Sequence, residues 1–169
     1  MRFRTALAAG DLGEVVRLHG VLYAQEYGFD HTFEAYVAAG LGQFATRYRQ
    51  PGELGGLWLA GSEDRLMGCV AIVVTGPQTG QLRWFLVHPD ARGRGLGRQL
   101  LAEAIRFSRA RELESLFLLT VGGLDAAAHL YREIGFLLTE EKRVQQWGHD
   151  LVEQRYDLRV APRSDRFDR

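Results

Sequence analysis

The chain has 169 residues, 46% of them hydrophobic and 25% charged, which is enough apolar material for one globular core without covalent staples. Basic and acidic residues number 21 each, so the net charge is zero and no global basic field exists to hold a nucleic acid. The single Cys69 excludes an internal disulfide. No apolar run reaches the ~20 residues of a membrane span, and the first residues lack a signal-peptide core, so a cytoplasmic location is expected.

In chain order, Asp11 followed by Glu14 has the offset of a capping box, and Val15, Leu18 and Leu22 recur at helical spacing, predicting a helix over 11–25. Gly28 interrupts the chain, and Phe33, Tyr36, Val37, Leu41 and Phe44 predict a second helix over 32–49. Pro51-Gly52 and Gly55-Gly56 mark the next loop. Apolar runs at 57–60, 67–74 and 82–87 read as three strands of an antiparallel meander, the first two joined by a hairpin turn at 61–64, because the connections are too short for crossover helices. Cys69, inside the second run, reads as a small buried hydrophobe; a catalytic thiol would need an activating base beside it.

Leu96, Leu100, Leu101, Ala104 and Phe107 then form a helical stripe over 96–111, followed by a strand at 116–121 and a short helix over 126–134 that Gly135 closes. Two last strands fit 136–139 and 152–158. Strand, helix, strand, helix, strand implies a crossover with parallel pairing, so the expected class is α/β with a mixed sheet, antiparallel early and partly parallel later. One domain over residues 1–160 and a polar tail over 161–169 are expected.

The stretch from Leu82 to Arg98 carries the chemistry. A strand ends at Pro89, and a loop of Arg92, Gly93, Arg94, Gly95, Leu96, Gly97 and Arg98 opens into a helix. A helix N-terminus offers unpaired N–H groups and the positive end of its dipole, glycines let phosphate oxygens approach, and arginines add charged donors. The pattern therefore suits a diphosphate and needs no metal. The plain alternative is a loop whose glycines only turn the chain and whose arginines are solvated. A Walker loop is excluded by the missing Gly-Lys-Ser/Thr end, and a dinucleotide fingerprint by the wrong glycine spacing. The histidines share no metal-ligand spacing with Cys or carboxylates, so no metal is assigned.

Arg92-Gly93-Arg94-Gly95-Leu96-Gly97 resembles the Arg/Gln-x-x-Gly-x-Gly/Ala signature of the GNAT acetyltransferase superfamily. Val87-His88-Pro89 is similar to that family's Val-x-Pro, and the segment from Ala127 to Phe136 to its Ala-x-x-Leu-Tyr-x-x-x-Gly-Phe. A closer likeness is to the acetyltransferase domains often fused to MarR-type regulators, through Leu82 to Leu96, Leu138 to Lys142, Gln146-Trp147-Gly148 and Glu153-Gln154-Arg155. A free-standing version of that domain is expected here.

The resemblance implies the GNAT fold, a mostly antiparallel sheet with a splayed parallel central strand pair and about four helices. It implies transfer of the acetyl group of acetyl-CoA to a primary amine of a small molecule or peptide by direct attack, without a covalent enzyme intermediate. The alternative is a non-catalytic acyl-CoA binding or sensing module. The resemblance assigns Arg92 to Arg98 to the pyrophosphate, the backbone of Leu86 and Val87 to the pantetheine arm, and Tyr131 to protonation of the departing thiolate; packing of its ring is the plain alternative. Where many members carry a basic glutamate, this chain has Gln81, which leaves Glu26, His88 or a water chain as candidate bases. Leu124 stands where an asparagine is common, with Asp125 beside it as a helix cap. Tyr23, Tyr27, Phe29 and His31 are candidates for the acceptor pocket, or core aromatics. Arg83 and Trp84 are expected on opposite faces of their strand, and Arg83, if it faces the acceptor, could bind a carboxylate. Neither a nucleic acid nor a membrane is expected as partner, and a homodimer is compatible with the family.

Overall fold

The computed structural model describes residues 2–62 and 64–160, so the tail expected at 161–169 and Glu63 of the hairpin turn lie outside the described residues. In chain order the elements are β1 (Arg2–Arg4), α1 (Asp11–Tyr27), α2 (His31–Ala45), β2 (Gly55–Gly61), β3 (Leu66–Gly76), β4 (Thr79–Val87), a 3-10 turn (Pro89–Ala91), α3 (Leu96–Ala110), β5 (Ser115–Val121), α4 (Asp125–Ile134), β6 (Leu137–Gln146) and β7 (His149–Arg159). The seven strands form one sheet in the order β1-β2-β3-β4-β5-β7-β6. Every neighbouring pair is antiparallel except β4 with β5.

Helices cover both faces, which is why the central strands read as unbroken apolar runs. Side chains alternate across β2 and β3. Trp58, Val70 and Ile72 join Leu100, Leu101 and Leu116 on the α3 and α4 side. Leu57, Leu59, Cys69 and Ala71 join Val15, Val37 and Leu41 on the α1 and α2 side. The stripe of α3 is buried as its spacing predicted, from Leu96 through Leu100, Leu101 and Ala104. No helix among the described residues is long and apolar enough to cross a membrane.

Several local expectations are corrected. The N-cap of α1 is Gly10 at φ 94°, and Asp11 is the first helical residue. Its carboxylate accepts the Ala8 amide and pairs with Arg4, which holds it below the usual carboxylate range. Leu124 rather than Asp125 caps α4, with no side-chain bond. The second helix ends at Ala45 because Tyr48 turns inward, where its hydroxyl donates to the Thr5 carbonyl at 3.0 Å and accepts the Leu57 amide at 3.3 Å. Parallel pairing is realised for β4 and β5 only, because β7 inserts between β5 and β6. The last strands are also longer than expected and form a hairpin through Trp147 and Gly148, whose φ values of 53° and 83° suit a type I′ turn.

Candidate active site

Two irregularities of β4 open the site. It pairs with β5 only from Thr79 opposite Ser115 to Gln81 opposite Phe117, and from Leu82 onward the strands separate into a wedge. A bulge follows. Ala71 faces Arg83 and Cys69 faces Leu86, so Trp84 and Phe85 oppose one residue of β3. Trp84 sits at φ 48°. The extra residue breaks the alternation, so Arg83 and Trp84 do not lie on opposite faces as expected. Both lie toward α1 and α2, the Arg83 guanidinium 4.6 Å from the Trp84 ring centroid and the indole inside that core.

The loop after β4 has the backbone geometry of an anion cradle. The amides of Gly93, Arg94, Gly95, Leu96, Gly97 and Arg98 find no protein acceptor among the described residues. The Arg92 amide drops out, because it donates to the Pro89 carbonyl and closes the 3-10 turn. Gly93 and Gly95 adopt φ values of 72° and 80°, which favour glycine. At Gly97 a Cβ would lie 2.9 Å from Leu130 Cδ1, so the absence of a side chain brings the mouth of α3 against α4. The row of free amides at a helix N-terminus fits a diphosphate.

Two of the loop arginines are already engaged. Arg92 grips Glu26 at 2.6 and 3.0 Å and donates Nε–H to the Val87 carbonyl at 3.2 Å, while Arg98 grips Glu133 at 2.9 and 3.0 Å. The Val87 carbonyl thus already accepts one hydrogen bond and keeps its second lone pair. Arg94 is exposed, and it alone of the named loop residues does not border the groove.

Two cavities meet at Tyr23, Phe85 and Leu124. The first is the groove bordered by Glu26, Tyr27, Leu86, Val87, Arg92 and the glycine loop. The second lies in the wedge, bordered by His19, Phe29, Phe33, Tyr36, Gln81, Arg83, Trp84, Tyr131, Trp147 and Glu153. Of the residues proposed for the acceptor, Arg83, Tyr23 and Phe29 border this second cavity. Glu26 and Tyr27 border the groove instead, and His31 borders neither. Cys69 is fully buried, with its thiol pushed up to about 12 by burial.

Tyr131 is 6% exposed and packs against Phe85, Phe136 and Tyr156. Burial pushes its hydroxyl well above the usual tyrosine range, with Tyr23 and Tyr156 adding to the shift, so it stays protonated at neutral pH. His19 is 3% exposed. Its Nδ1–H donates to the Val15 carbonyl at 2.8 Å, and burial lowers the ring to about 4, so it is neutral at pH 7.

Glu153 is the carboxylate that sequence reading did not single out. It sits opposite Val121 on the face turned toward α1 and α2, and Lys142 pairs with it at 3.3 Å. Register was the missing signal: once β7 pairs with β5, Leu151 and Glu153 share the face of the buried Val121.

Residues 21–136 match the profile described as the acetyltransferase (GNAT) family, more than half of the chain. The chain belongs to this family. An uncharacterized N-acetyltransferase of Schizosaccharomyces pombe is 32% identical over 121 residues, covering 70% of this chain and 72% of that protein. Ribosomal-protein-alanine N-acetyltransferase from Brucella melitensis superposes with a TM-score of 0.73 at 20% identity, over 95% of this chain and all of that one. A Salmonella typhimurium protein solved with its cofactor acetyl-CoA gives a TM-score of 0.71 at 16% identity, over 95% of this chain and 94% of that one. At such identities the superpositions speak to the GNAT fold, whose mixed sheet with one parallel pair is the one expected from the sequence.

Proposed function

We propose that this chain transfers the acetyl group of acetyl-CoA to a primary amine by direct attack. What carries the proposal is the row of free amides from Gly93 to Arg98, opening on a groove that joins the wedge at Tyr23, Phe85 and Leu124. Those amides would hold the diphosphate of coenzyme A, and the edge of β4 at Leu86 would lie along the pantetheine arm. The cosubstrate supplies an acetyl group activated as a thioester.

The amine enters from the Arg83 side. Glu153 takes its proton, directly or through one water, because Gln81 in the same cavity cannot. The neutral amine attacks the thioester carbonyl; as the tetrahedral adduct collapses the C–S bond breaks, the Tyr131 hydroxyl protonates the departing sulfur, and the surplus proton of the new amide nitrogen returns through solvent to Tyr131. His19, lowered to about 4, takes no part as a base at neutral pH. Glu26 borders the groove rather than the wedge and serves the cradle by fixing the Arg92 guanidinium.

Calorimetric titration with coenzyme A, with thiol release measured over amino acids, polyamines, aminoglycosides and peptide N-termini, tests the proposal. Binding with turnover of an amine supports it, and failure to bind coenzyme A defeats it. Gln81 favours a second reading, an acyl-CoA sensor. Binding without thiol release from any amine would select that one.

A further inference from the structure

Arg83 is a cation set in a slot with no anion. Its guanidinium lies between the Trp84 ring at 4.6 Å and the Tyr36 ring at 5.7 Å. Among the described residues its one polar contact is Nη2 donating to the Tyr36 hydroxyl at 3.5 Å, the outer limit of a hydrogen bond, and no Asp or Glu pairs with it. Arg92, Arg98 and Arg155, by contrast, each hold a carboxylate in a two-point grip. Stacking uses the face of a guanidinium and leaves its in-plane N–H edge free, the edge that matches a carboxylate.

The slot is shaped from the opposite wall as well. Gly40 lies inside α2, where glycine weakens a helix relative to alanine. A Cβ there would stand 2.7 Å from Arg83 Nη2 and 3.3 Å from Cζ. The helix therefore carries its least favourable ordinary residue where a methyl group would crowd the guanidinium. Glu153 borders the same cavity, whose lining also includes the aromatic side chains of Phe33, Tyr36 and Trp147.

From this arrangement we infer that the acceptor is a small amine that also carries a carboxylate, held by Arg83, with an apolar body against the aromatic wall. The inference deepens the proposed acetyl transfer and rests on the amine entering by this cavity. It sets a free amino acid apart from a peptide N-terminus, which has no carboxylate beside its amine.

The test compares L-methionine and L-phenylalanine with their carboxamides. Thiol release with acetyl-CoA is one readout. The other is indole fluorescence on adding N-acetyl-L-methionine or its amide to the coenzyme A complex, since Trp84 and Trp147 border the cavity. The acids are expected to exceed the amides by at least tenfold in kcat/KM and in affinity, the scale of one charge-assisted two-point contact. Arg83→Gln should bring both ratios toward one. Gly40→Ala should raise KM for the acids without lowering the melting temperature, and it carries the test if Arg83→Gln fails to fold. Amides that match the acids, or acid preferences that survive both substitutions, would overturn the inference. So would failure of both acids and amides to react or bind while coenzyme A still binds. Loss of coenzyme A binding would instead strike at the acetyltransferase proposal.

Discussion

His19 makes the stability of this protein pH-dependent in a window set by its burial. The ring is stacked on Tyr23 at 5.9 Å with Phe33 at 6.5 Å, Nδ1–H is spent on the Val15 carbonyl, and Nε2 has no protein partner. Burial lowers it from 6.5 to about 4, against the smaller opposing effect of the Val15 bond. Between those values the unfolded chain binds a proton that the folded chain refuses, so stability is fully present above about 6.5 and is lost on acidification. The slope approaches about 1.4 kcal/mol per pH unit and totals roughly 3 kcal/mol by pH 4, below which it flattens. That is a large part of the 5–15 kcal/mol typical of a domain. Urea unfolding of the wild type and His19→Phe from pH 4.5 to 8 measures it. The phenyl ring keeps the stacking and removes the proton site. Asp11 and Asp90, both held below the usual carboxylate range by arginine partners, lose their contributions only at lower pH and in both proteins alike. The wild type should lose about 2–3 kcal/mol relative to the variant between pH 7 and 4.5. Parallel stability curves would refute the reasoning.

Three further outcomes are expected. Tyr131→Phe keeps the ring contacts with Phe85 and Tyr156 and should lower kcat about 100-fold with little change in melting temperature; an unchanged rate would remove the proton-donor role. Glu153→Gln should lower kcat/KM at least tenfold while calorimetry finds coenzyme A affinity intact. Gly97→Val drives a methyl group into Leu130 and Phe85, so it should weaken coenzyme A binding at least tenfold and cost about 1–3 kcal/mol in urea unfolding.

The parts of the fold legible in the sequence are those whose burial is written in apolar spacing. β2, β3 and the first half of β4 are covered on both faces, and α3 carries a clean stripe, so each announced itself. β6 showed only its start, at 136–139, because the rest is an edge strand with an exposed run of Glu, Lys, Arg and Gln that has no face to bury. β1, three residues long, is too short to show any period. The cradle was legible because its glycines and arginines are adjacent in the chain. Glu153 and the slot of Arg83 were not, since they depend on which strand β7 joins and on a bulge. Neither leaves a local signature: Trp84 is an unusual residue for a left-handed φ, and nothing around it marks the turn.

That bulge is what divides one strand between two cavities. Without it, strict alternation would send Arg83 and Trp84 to opposite faces, and the stacked guanidinium could not form. With one residue added, Arg83 and Trp84 stay on the α1 and α2 side, and Phe85 turns to pack against Tyr131 on the other side. Phe85 then borders both cavities, Arg83 and Trp84 only the wedge, and Leu86 and Val87 only the groove. A left-handed non-glycine residue costs on the order of 1–3 kcal/mol, and here the surrounding core sustains it by burying the Trp84 ring against Phe44. The strain is therefore tied to the two cavities, because straightening β4 would remove the Arg83 slot and the junction between the cavities in a single step.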